Sequence, residues 1–206
     1  MSSISIIGSG NMAGTIGALA LKGGSTVEVI GRDAAKTAAL ARALGDGATA
    51  GTWGTAPAGD LVILAVLFQS AVPVVVEYGE ALADKVVVDI TNPFNPTATG
   101  LAVPHDTSVA RLVDEATPAS TQVVKAFNTL FRDVLAAGGP LDVFVAGDDA
   151  QAKARVSAFV TSLGMRPRDV GDLGMAHWLE GAGLLSVGLA GNGIGSLNFS
   201  LGVNLG

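Results

Sequence analysis

A chain of 206 residues has the length of one α/β domain and can bury a substantial core without a second one. It is 49% hydrophobic and 15% charged, with a mean hydropathy of +0.51, so part of the apolar excess is expected to lie in a subunit interface. Twelve Lys and Arg against 18 Asp and Glu give a net charge of -6, which excludes a broad basic footprint for nucleic acid or an anionic membrane; the lack of cysteine excludes disulfides, thiolate metal sites and cysteine nucleophiles.

The chain starts Met1-Ser2-Ser3 and passes at once into an apolar run. There is no basic start or cleavable apolar leader, and a cytoplasmic placement is expected. The first strand is expected over 4–7. Behind it comes Gly8-Ser9-Gly10-Asn11-Met12-Ala13, opening a helix over 12–21. Glycine at the first position permits the tight turn, and glycine at the third lets the backbone approach a pyrophosphate. Ala13 allows close helix–strand packing. Free amide groups at the helix start then hold the anion. The strand–turn–helix context makes the pattern a dinucleotide fingerprint rather than an ordinary glycine turn.

A second strand over 27–30 ends in Gly31-Arg32-Asp33. Enzymes that take NAD place an acid there for the ribose hydroxyl, whereas arginine suits a 2′-phosphate. Gly31 fills the acidic slot, Arg32 offers a planar fork and Lys36 a further charge. The expected ligand is therefore NADP(H), with Asp33 as the cap of a helix over 34–44.

Further strands are expected over 61–66, 86–90, 122–126, 143–146 and 166–170. Helices are expected over 70–82, 109–116, 130–136, 150–163 and 175–189. The alternation describes an α/β Rossmann-type fold, doubly wound around a mainly parallel sheet with helices on both faces. No linker, repeat or composition shift divides it, so residues 1–206 are expected to form one domain. Asn92-Pro93-Phe94-Asn95-Pro96 through Pro104 is too rich in proline for helix or central strand. It reads as a loop at a strand's carboxyl end, where ligands bind in this architecture. Residues 181–206 carry no charge, but their glycines and Asn192, Asn198 and Asn204 argue against a membrane span. An apolar helix and tail over 170–206 is expected to close the cleft or form a homodimer interface.

Four stretches are similar to the F420-dependent NADP oxidoreductase family: Ile6-Ile7-Gly8-Ser9-Gly10-Asn11-Met12, Val66-Leu67-Phe68-Gln69, Val88-Asp89-Ile90-Thr91-Asn92-Pro93 and Val124-Lys125-Ala126-Phe127-Asn128-Thr129. The Lys-Ala-Phe-Asn-Thr run equally resembles the cytosolic NADPH domain of the six-transmembrane metalloreductases, which use an ordinary flavin. The resemblance implies hydride transfer between NADP(H) and the deazaflavin coenzyme F420, with FMN, FAD or ferric reduction as the alternative. A non-catalytic NADP(H) sensor is a reading of another class. The resemblance also implies that Ser9 to Met12, in the turn begun by Gly8, hold the pyrophosphate, and Gly31, Arg32 and Lys36 the 2′-phosphate. Ala65, Phe68 and Asn92 would flank the nicotinamide. Asn128, at a strand's carboxyl end, reads either as the polar contact for the second cofactor or as the cap of a helix before Leu130. Lys125 and Arg132 are weaker candidates for an anionic tail. Gly31 and Leu67 depart from the family, which often has Ser or Thr at the first position and Pro at the second.

Hydride exchange between two ring systems needs alignment more than acid–base groups. No catalytic residue and no metal ligand set is assigned. His105 reads as an exposed loop residue and His177 as packing or capping on the last helix. A hydroxyacid or imine dehydrogenase would need a further helical domain, which the chain has no length to supply.

Overall fold

The computed structural model describes residues 3–204. Eight strands form one sheet: β1 (Ser3–Ile7), β2 (Thr26–Ile30), β3 (Ala48–Ala50), β4 (Leu61–Leu64), β5 (Val86–Asp89), β6 (Gln122–Lys125), β7 (Asp142–Gly147) and β8 (Arg166–Gly171), in the order β3-β2-β1-β4-β5-β6-β7-β8. All neighbours run parallel except β6 and β7. The expected mainly parallel, doubly wound sheet is present.

Along the central strands, alternate side chains enter two different cores. Ile4, Ile6, Val27, Val29, Ile63 and Val88 pack on one face, while Ile7, Ile30, Val62, Leu64 and Val87 pack on the other. Both faces are therefore covered, as near-continuous Val and Ile runs demand. The first face carries α1 (Asn11–Lys22), α2 (Ala34–Leu44), α5 (Arg132–Ala137) and α6 (Ala150–Ser162). The second carries α3 (Phe68–Tyr78), α4 (Val109–Ala116) and the start of α7 (Ala176–Leu189).

Local chemistry sets the helix ends. Asp33 caps α2 by accepting from the Lys36 amide at 3.0 Å, as expected, and Asp149 and Ser108 cap α6 and α4 in the same way. The expected strand over 61–66 ends at Leu64, and the helix expected to begin at Leu130 begins at Arg132. Residues 93–104 form the expected loop, crossed only by a bridge between Phe94 and Leu101.

Beyond α7 the chain kinks at Asn192 and Gly193. Residues 191–198 are exposed, and the tail is tied back where the Val203 amide donates to Asp142 at 2.6 Å. Asp142 is buried and also accepts from Arg166 and Arg168, each at 2.8 Å. Among the described residues no helix is long and apolar enough to cross a membrane.

Candidate functional site: a crevice at the β1–β4 switch point

Strand order reverses between β1 and β4, because β1 leads outward to β2 and β3 while β4 leads the other way. A crevice outside the carboxyl ends of the strands forms at such a point. The turn after β1 lies across it. Gly8 donates to Ile30 O at 2.8 Å, and Ala65 donates to Ile7 O at 2.9 Å, so the turn is stitched to both neighbouring strands. Gly8 has φ +137, and a Cβ there would lie 2.1 Å from the Ala65 carbonyl oxygen. No other residue fits.

Gly10 differs in kind. A Cβ at this position would meet nothing within 4 Å, so its hydrogen faces open space at the N-cap of α1. No side chain caps that helix, which leaves its first amide groups free to bind an anion. Ala13 is fully buried beneath the turn, as close helix–strand packing requires. The residues present therefore fit a pyrophosphate.

Two lobes open on either side of the turn. The first, about 330 Å³, is lined by Gly8, Ser9, Gly31, Arg32, Lys36 and Trp53 among others. Its cations are exposed, and Arg32 is only loosely held: it makes a 3.8 Å ion pair with Glu77, and its guanidinium carbon lies 4.9 Å from the centre of the Trp53 ring. Trp53 in turn donates to Glu77 and meets Tyr78 edge-on. The Tyr78 hydroxyl accepts from the Gly54 amide at 3.2 Å. Burial pushes its pKa up despite that bond. Nothing local to Arg32 points to Trp53, Glu77 and Tyr78, because two segments distant in sequence, the loop after β3 and the end of α3, bring them there. Gly31 is buried, and a Cβ on it would stand 2.6 Å from the Thr37 hydroxyl and 3.2 Å from that of Ser9. Those two hydroxyls flank the position.

The second lobe, about 410 Å³, is lined by Gly10, Asn11, Met12, Ala65, Val66, Leu67, Phe68, Ile90, Thr91 and Asn92. Its lip is apolar; Leu67 is 77% exposed there. Thus Gly8, Ser9, Gly10, Asn11, Met12, Gly31, Arg32, Lys36, Ala65, Phe68 and Asn92 are gathered along one crevice.

Asn128 is not among them. It is buried behind Asn92, donating to Asn92 Oδ1 at 2.9 Å and to Leu179 O at 2.8 Å. It caps no helix either, since Phe131 takes that place for α5. Lys125 is fully buried between Asp89 and Glu180 and is unavailable to any tail of a ligand. Arg132 remains accessible, in a groove between α1 and α5 that opens beside the turn. Among the described residues, none of the C-terminal tail lines either lobe. His105 is exposed, and His177 Nδ1 lies 2.9 Å from Thr107 O, tying α7 to the loop. Among the described residues no group of three His, Asp or Glu could hold a metal ion.

Residues 3–93 match the family model for the coenzyme F420-dependent NADP oxidoreductase. The chain is 31% identical over 180 residues to the metalloreductase STEAP3 of Rattus norvegicus, covering 86% of this chain and 35% of that protein. It is 33% identical over 140 residues to an F420-dependent NADP reductase of Methanocaldococcus jannaschii, covering 64% of this chain and 62% of that one. The chain thus spans less than two thirds of the length of either curated relative. A crystal structure provisionally assigned as an F420-dependent NADP reductase, from an Arthrobacter species, superposes with a TM-score of 0.85 at 26% identity, covering 100% of both chains.

Proposed function

We propose that this chain, whose residues 3–93 match the family model for the coenzyme F420-dependent NADP oxidoreductase, moves a hydride between NADP(H) and the deazaflavin coenzyme F420. The observation that carries the reading is the crevice itself: an uncapped, glycine-lined helix start with a cationic lobe on one side and an apolar lobe on the other. In this reading the α1 amides take the pyrophosphate, while Arg32 and Lys36 take the 2′-phosphate. Met12, Ala65, Phe68 and Asn92 bound the nicotinamide. NADP(H) supplies the hydride. The chain orients the ring and keeps water from it, and the exposed apolar lip at Leu67 offers a flat acceptor a place to stack. No side chain is required to carry a proton.

A second reading, reduction of FMN, FAD or flavin-bound iron, is favoured by the STEAP3 likeness over 86% of this chain. The exposed apolar residues Trp178, Leu185, Leu189, Ile194, Leu197 and Val203 support a homodimer formed through α7 and the tail; the placement we propose is cytoplasmic. The test is to supply NADPH to the purified protein with F420, FMN or FAD in turn, following the absorbance of each. Turnover with F420 is expected. Turnover with FMN or FAD alone moves the assignment to the second reading, and tight NADPH binding without turnover on any acceptor makes the protein a sensor.

A further inference from the structure

Lys125 is fully buried, and it stands at the end of β6. Its ammonium donates to Asp89 Oδ2 at 2.7 Å, Thr91 O at 2.6 Å and Glu180 Oε1 at 2.8 Å, which uses all three of its protons. Asp89 Oδ1 accepts from the Thr91 amide, and Glu180 Oε1 also accepts from the Val109 amide. Buried ion clusters of this kind contribute little net stability compared with well-packed apolar side chains. The three buried polar atoms without a hydrogen-bond partner among the described residues, Thr91 Oγ1, Asn128 Oδ1 and Glu180 Oε2, all belong to this assembly. An arrangement with such costs is explained by what it positions.

What it positions is Asn92, the residue after the doubly held Thr91. The Asn92 amide exchanges two hydrogen bonds with Asn128: Nδ2 donates to Asn128 O at 2.7 Å, and Oδ1 accepts from Asn128 Nδ2 at 2.9 Å. Asn128 is aimed there by the left-handed backbone of Phe127, φ +61, an outlier for a bulky residue. Its other amide proton reaches Leu179 O on α7. One turn further along α7, a Cβ on Gly183 would lie 2.8 Å from Asn92 Oδ1 and 3.2 Å from Nδ2. The helix therefore presses on the Asn92 amide directly at Gly183, and through Asn128 beside Glu180. Asn92 lines the apolar lobe, and these two bonds leave its amide one N–H and one lone pair, the two kinds of group a primary carboxamide can meet.

We propose that Glu180 and Gly183 of α7 are positioning residues for the nicotinamide end of the crevice, fixing the Asn92 amide in the one orientation that can pair with the carboxamide of the nucleotide. This rests on the NADP(H) reading above. The test is calorimetric binding of NADPH and of 2′,5′-ADP, which keeps both the ribose phosphate and the adenine but lacks nicotinamide. Gly183→Ala should weaken NADPH roughly ten-fold, the value of a lost amide pair, and leave 2′,5′-ADP within about two-fold. In an Asn92→Ala background the same change should add nothing, since coupled sites are non-additive. Glu180→Ala should show the same selective loss and Glu180→Gln should restore it, which keeps the question open to measurement if Gly183→Ala folds poorly. Equal losses for both ligands, no loss for either, or full additivity with Asn92→Ala overturns the proposal. Failure of the unmodified protein to bind NADPH or 2′,5′-ADP overturns the nucleotide reading and, with it, this one.

Discussion

Replacement of Arg32 by alanine tests the choice of nucleotide. A charge-assisted hydrogen bond to phosphate contributes about 1.5–3 kcal/mol. The Arg32 side chain is 61% exposed, so solvent and salt screening place it at the lower end. Its 3.8 Å partner Glu77 competes for the same guanidinium, and an exposed pair of that kind is worth about 0–1 kcal/mol. The net loss for NADPH is then about 0.5–1.5 kcal/mol, or roughly 2- to 13-fold in Kd. NADH has no phosphate there, and losing the contact with Trp53 should change its affinity by about two-fold. Titration calorimetry at two salt concentrations resolves both effects, because the salt dependence of NADPH binding should flatten along with the affinity. Equal losses for the two nucleotides would refute the argument and leave Arg32 as a partner of Trp53 and Glu77 only.

The two glycines of the turn should separate stability from binding. Gly8→Ala, driven into the Ala65 carbonyl, should cost about 2–4 kcal/mol in denaturant unfolding. Gly10→Ala should keep its fold within about 1 kcal/mol yet lose NADPH at least roughly ten-fold by calorimetry, because the new methyl stands where the pyrophosphate approaches. Burial raises the Asp142 carboxyl, but the Val203 amide together with Arg168 and Arg166 outweighs it and holds the pKa below 3.8. Its stabilisation is present above that value and lost as pH falls through the folded one. The thermal deficit of Asp142→Asn should therefore narrow on acidification. Burial raises Glu180 above 4.5 despite Lys125, so its contribution is present below 4.5 and lost as pH rises through the folded value. The melting temperature of Glu180→Gln should gain on the unmodified protein as the pH rises; a constant difference would show that Glu180 does not titrate in that interval.

Features governed by neighbouring residues were legible in the sequence. The glycine turn, the Asp33 cap and the apolar strand runs each need only a few adjacent positions to declare themselves. β3 did not, because Ala48-Thr49-Ala50 carries no apolar run and is a strand only through its pairing with β2. The reversed direction of β7 likewise depends on a partner far along the chain. Asn128 and Lys125 looked like ligand contacts because both stand at a carboxyl strand end; α7, distant in sequence, covers them. A signal was available in Asp89 and Lys125, opposite charges ending two otherwise apolar strands, which the structure pairs in register. Trp53 gave none, since nothing in its glycine-flanked loop points toward Arg32.

The position of Trp53 at the rim of the cationic lobe gives the protein an optical reporter of its own. There are two tryptophans in the chain, and the other, Trp178, lies 67% exposed on α7. With Trp178 changed to phenylalanine, all indole emission would come from a ring that touches the guanidinium of Arg32. Arrival of an adenosine phosphate would then be visible as a change in brightness or colour without any added dye, and stopped-flow recording could time the docking of the nucleotide separately from any redox event that follows.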